Sequence, residues 1–190
     1  MDKFYKIVRR ITLAPMLALF SLSSIALFCP EVFPTLWHFG YMALFLGLLP
    51  LLAYPLQRFT PHFKDRGRDG QRTLAMIFAV SGYVFSLIAN LLFSASEGMW
   101  IICLEYLISG ALILIFNKAF KIKVSAHGCG SAGPIFLLLY FGLFVPAAVM
   151  GIVTVFAYVA RVKEKHHTFP QLVGGSAISV CTLFALAFIL

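Results

Sequence analysis

Charge is scarce in this sequence, and negative charge scarcer still. Only 12% of its residues are Asp, Glu, Lys or Arg, and seven acidic side chains stand against 15 basic ones. Soluble globular domains are about half apolar and about a quarter charged. Here 61% of residues are hydrophobic and mean hydropathy is +0.95. That composition excludes an ordinary soluble domain. Cysteine is also sparse: Cys29, Cys103, Cys129 and Cys181 form no CxxC pair and no metal-like spacing. A disulfide framework and a zinc site are therefore not expected, and three of the four read as small buried side chains. No carboxylate cluster is available to bind a metal, and the P-loop pattern is absent. The net charge of +8 would suggest nucleic acid in a soluble protein. In a membrane protein it is first a question of which face the charges occupy, and no nucleic-acid partner is expected.

What the chain has in abundance is apolar runs long enough to cross a bilayer, each needing roughly 20 residues. The first, about Ile11–Phe28, follows the basic stretch MDKFYKIVRR. It is too long for a signal peptide and lacks a small-residue cleavage site, so it reads as a span. Further segments are expected at about Trp37–Leu56, Leu74–Phe93, Met99–Phe116 and Gln171–Leu190. From Gly133 to Ala160 the chain carries no charge over 28 residues. As one helix that stretch would measure roughly 42 Å against a hydrocarbon core of roughly 30 Å. The alternative is a hairpin, about Cys129–Phe144 and Pro146–Lys163, turning near Gly142–Pro146.

Charge placement favours the hairpin. With it, all 15 Lys and Arg fall on one face, leaving Glu31 and Glu97 on the other. A single span would carry Arg161, Lys163 and Lys165 to the opposite side. The expected fold is therefore all-α, one polytopic membrane bundle over residues 1–190 with six to seven transmembrane segments. Its expected location is a bacterial inner or plasma membrane, multi-pass, with the basic loops in the cytoplasm.

Three of those loops share chemistry as well as a face. One is the basic run Lys64–Arg72; the second reads Val124-Ser125-Ala126-His127-Gly128; the third is Arg161 to Gln171, R-V-K-E-K-H-H-T-F-P-Q. Arg and Lys converging on one point make a phosphate clamp, Arg as a planar fork and Lys as a point charge. Two histidines can divide the remaining work, one attacking phosphorus and the other protonating the leaving oxygen. A serine hydroxyl and the N–H groups around Gly128 and Gly130, at a helix start, can hold a phosphoryl oxygen. That chemistry requires no metal and no cofactor.

The spacings resemble those of the type 2 phosphatidic acid phosphatases, which share a core with the vanadium haloperoxidases. That family's P-S-G-H motif is matched by Val124-Ser125-Ala126-His127. Its S-R-x5-H-x3-D motif is matched by Ala160-Arg161-x5-His167-x3-Gln171. The resemblance covers about residues 57–185 and implies a metal-independent lipid phosphatase. It implies His167 as nucleophile through a phosphohistidine, His127 as general acid, and Arg161 and Ser125 as phosphate ligands. The first motif, K-x6-R-P, is loosely matched by Lys64 with Arg72, and Arg66 or Arg68 can serve instead. Gln171 stands where the family has Asp, so it can orient the imidazole but brings no charge. The implied partners are the bilayer and a phospholipid or polyprenyl phosphate substrate. A lipid phosphotransferase, or a catalytically degenerate lipid-binding or transport protein, would use the same scaffold.

The same residues admit plainer roles. Ser125 can be a helix cap, the Lys64–Arg72 run a headgroup or topology anchor, and Gly128, Gly130 and Gly133 close-packing positions. Glu105, a carboxylate inside a span, calls for a partner or a cavity, and Asn90 is a candidate partner.

Overall fold

A computed structural model describes residues 12–163 and 168–190, except for the side chain of Arg68. The described chain is all-α, and no strand occurs among its residues. Seven principal helices follow one another: α1 (Ala14–Phe28), α2 (Leu36–Phe59), α3 (Gly67–Leu92), α4 (Glu97–Lys118), α5 (Ala126–Tyr140), α6 (Phe144–Lys163) and α7 (Phe169–Ile189). Five of them, α2, α3, α4, α6 and α7, are long and apolar enough to cross a membrane. The 15-residue α1 and α5 are shorter, about 22 Å each at the helical rise.

The hairpin is present, with its turn slightly earlier than the sequence reading placed it. Gly142 (φ +74°) leaves α5 in the left-handed region, which glycine enters without steric cost. Leu143 N–H donates to the Leu138 carbonyl and Gly142 N–H to that of Leu139, the paired bonds of a Schellman stop. Pro146 then falls in the first turn of α6, where its missing N–H breaks no bond. Inside α2 the helix widens to a π turn over Leu44–Leu48, just before Pro50. A proline ring collides with the carbonyl four residues earlier in a regular helix, and the wider turn accommodates it.

Short connections make successive helices antiparallel, so the starts of α1, α3, α5 and α7 share one end of the bundle with the finishes of α2, α4 and α6. Every described Lys and Arg lies at that end, and Glu31 and Glu97 lie at the other. The acidic end is laced shut. Ser96 Oγ donates to the Val32 carbonyl at 2.6 Å, and His38 Nε2 donates to the Phe93 carbonyl at 2.7 Å. The second bond leaves His38 Nδ1 to accept from the Thr35 hydroxyl at 2.7 Å. Between the ends, Leu22, Ile25, Met42, Leu46, Met99 and Leu138 pack into one apolar core.

Helix α5 is the hub, meeting α1, α4, α6 and most extensively α7. Its seam with α7 is backbone against backbone. A Cβ on Gly128 would lie 2.3 Å from the Leu172 carbonyl oxygen, and one on Gly175 would lie 2.0 Å from that of Ser125. Small residues permit such approach, and dispersion with polar contacts then replaces the hydrophobic drive that lipid does not supply. Gly175→Ala is therefore expected to destabilise by roughly 1–3 kcal/mol through overpacking. Gly151→Ala, where a Cβ meets nothing within 4 Å, should be neutral or stabilising by up to about 1 kcal/mol. Thermal unfolding of the two variants in detergent checks the contrast, and equal midpoints contradict the seam.

Candidate functional site

The α5–α7 seam also joins two of the three loops singled out from the sequence. Ser125 is the N-cap of α5: its Oγ accepts from Gly128 N–H at 3.2 Å, and the residue is fully buried. Ser125 N–H donates to the Gln171 carbonyl at 2.9 Å. Thr168 is the N-cap of α7, and Gln171 Oε1 accepts from its N–H at 3.2 Å within a capping box. Gln171 thus ties the second loop to the third by its main chain while its side chain closes the helix start. Asn117, near the end of α4, completes the frame. Its Oδ1 accepts from Val124 N–H and its Nδ2 donates to the Val124 carbonyl, both at 3.1 Å.

His127 stands in the first turn of α5 and faces Tyr158 of α6, with ring centroids 6.5 Å apart. Behind it the Tyr158 hydroxyl is a hub between three helices. It meets Ser176 Oγ of α7 at 2.7 Å and Ser131 Oγ of α5 at 3.0 Å, and donates to the Gly128 carbonyl at 3.2 Å. These groups hold the backbone carrying His127, and Tyr158 limits the sweep of its ring.

At the basic end the helices enclose a cavity of about 430 Å³. His127, Arg161 and Arg72 line it together, with Tyr54 alongside. Arg161 reaches it from the last turn of α6, and Arg72 from the second turn of α3. Between mouth and inner end the walls turn apolar at residues such as Leu46, Met76 and Val80. A short-range clamp for an anion at the mouth, over an apolar interior, suits an amphiphile with a phosphorylated head.

The structure sorts the expected site residues into three groups. His127, Arg161 and Arg72 share the cavity. Ser125, Gly128 and Gln171 sit behind or beside its wall, in the seam, with the Gly128 N–H committed to the Ser125 cap. Lys64 and Arg66 are exposed on the turn before α3 and do not line the cavity, so among the described side chains of the basic run it is Arg72 that does. His167 lies outside the described residues, as does the side chain of Arg68. Glu105 does have a partner, and it is not Asn90. The Ser179 hydroxyl of α7 donates to Glu105 Oε1, whereas Asn90 accepts from Tyr41 and donates to the Met99 carbonyl.

Tyr54, Tyr158 and Asn117 were not identified from the sequence. For Arg72 a signal existed: Arg72, Met76, Ala79 and Tyr83 recur at helical spacing and line one cavity wall. No family model matches this chain, and neither does any curated protein or solved structure. Asn117→Ala is expected to destabilise by about 1–3 kcal/mol, because it strands the Val124 main chain. Hydrogen exchange should show the Val124 amide opening with it, and an unchanged exchange rate there contradicts the role given to Asn117.

Proposed function

We propose that this chain is an integral membrane lipid phosphatase, hydrolysing a phosphomonoester or diphosphate on a lipid through a phosphohistidine, with its site on the cytoplasmic face. The observation that carries the reading is the convergence of His127, Arg161 and Arg72 on one cavity at the basic end of a membrane bundle. The motif spacing supplies the rest. In the sequence His167 immediately precedes Thr168, the N-cap of α7.

In this reading Arg161 and Arg72 neutralise the phosphoryl oxygens, Arg161 in the bidentate geometry a guanidinium favours. His167 attacks phosphorus as the ester or anhydride bond breaks, and His127 protonates the departing oxygen. Water then attacks the phosphohistidine with His127 accepting its proton, which returns both imidazoles to their starting state. Ser125 and Gly128 act by capping α5 and so aiming His127. Gln171 supplies no charge to the nucleophile. The apolar middle of the cavity and the surrounding bilayer accommodate acyl or isoprenoid chain.

Purified protein should release phosphate from a panel of lipid phosphates in EDTA. His127→Asn should lower turnover by about 10²–10⁴-fold, the usual worth of a general acid, and His167→Ala should abolish it. Equal release by wild type and His167→Ala would falsify the phosphohistidine route. Sidedness is a separate measurement, using single cysteines at Lys123, Lys163 and Glu97 in a cysteine-free background. An impermeant thiol reagent applied to intact cells should label only the Glu97 position. Labelling at Lys123 and Lys163 instead would put the site outside.

A further inference from the structure

The inner end of the cavity is chemically unlike its mouth. Glu105 lines it with its side chain 1% exposed, and no described Lys, Arg or His shares that depth. The cationic residues of the lining, Arg72 and Arg161, sit at the other end. Glu105 lies nine residues from the cavity-lining Leu114 along α4, about 14 Å away at the helical rise. The carboxylate meets two neutral hydroxyls, Ser179 and Ser109, and burying it on neutral donors is costly unless a cation or a proton joins it.

Three further features surround that carboxylate. The Tyr106 hydroxyl belongs to a side chain 7% exposed that lines the cavity, and it meets no hydrogen-bond partner among the described residues. The Tyr83 and Tyr106 rings stand 5.8 Å apart at 50°, so they present two faces at an angle. Ser109, one turn beyond Glu105, adds a second hydroxyl to the lining. On the α5 side Gly133 leaves the carboxylate room: a Cβ there would lie 2.8 Å from Glu105 Oε1.

We propose that this inner end is a binding site for a protonated amine. An ammonium donates to the carboxylate and to the Tyr106 oxygen, and it is attracted to the electron-rich ring faces. An anion would be repelled by Glu105. A bare hydrocarbon chain would leave the Tyr106 hydroxyl without a partner and Glu105 with neutral serine hydroxyls alone. The separation from Arg72 and Arg161 means that the amine is not part of a phosphate headgroup held at the mouth. The site therefore stands independently of the phosphatase reading.

The probe is hexylammonium, whose short tail matches the apolar middle of the cavity, with hexanol and hexanoate as neutral and anionic counterparts and sodium chloride as a further control. Full-length protein in nanodiscs is titrated by calorimetry and by its thermal midpoint. Hexylammonium should bind saturably and raise the midpoint, while the other three do neither. Glu105→Gln should weaken binding by about tenfold or more, and Tyr106→Phe by about threefold to tenfold, in line with lost charged and neutral hydrogen bonds. Hexanol binding as tightly as hexylammonium overturns the proposal. So does a Glu105→Gln variant that binds like wild type, or stabilisation by sodium without the amine. If Glu105→Gln does not fold, Tyr106→Phe decides: unchanged hexylammonium affinity in that variant counts against the site.

Discussion

The close approach of α5 and α7 is the constraint on which the rest of the molecule depends. Two glycines, Gly128 and Gly175, let each helix rest on a backbone carbonyl of the other. In lipid, where apolar side chains gain little by leaving their solvent, such contact is what selects one helix partner over another. The seam has a chemical result as well as a packing one. It brings the Ser125 amide onto the Gln171 carbonyl, and so fixes the loop carrying His127 against the helix start that follows His167 in the chain. Remove the seam, and the two histidine motifs are merely loops on one face.

Around that seam the polar groups of the bundle divide by role. At the acidic end they are mutually satisfied: His38 with Thr35 and Phe93, Asn90 with Tyr41 and Met99, Ser96 with Val32. Each closes a helix end or a helix pair, as buried polar groups in a low-dielectric interior must. At the basic end the packing instead stops short and leaves a cavity, with arginines at its mouth and a carboxylate at its depth. Elsewhere the described core is dense, with Leu22, Ile25, Met42 and Met99 almost without exposure.

Much of the scaffold was legible because bilayer thickness and charge sidedness are coarse, strong constraints. Run lengths located the apolar segments but left six or seven open, and charge placement favoured folding back the charge-free stretch before Arg161 to keep its basic residues with the others. The details that escaped are those set by contacts distant in sequence. Glu105 and Ser179 are 74 positions apart, and nothing local distinguishes Ser179 from other serines. Asn90 looked equally suitable, and the structure gives it to Tyr41 instead. The basic run was read as a loop, yet Arg72 lies inside α3, where helical periodicity turns it to the cavity while Lys64 and Arg66 stay on the exposed turn. Gln171 drew notice as a missing carboxylate. Its position three residues after Thr168 is also a capping-box signal, and the structure uses it that way.

The central claim is that phosphoryl transfer takes place at the His127–Arg161–Arg72 mouth by way of His167. It is tested most directly by trapping the intermediate. Protein mixed with a radiolabelled lipid phosphate and quenched in alkali within one turnover should carry label that survives base, is lost in acid, and maps by mass spectrometry to His167. The predicted result is a phosphohistidine there, accumulating further in His127→Asn if the second step slows more than the first. Substrate turnover with no label on His167, or with label on another residue, contradicts the account.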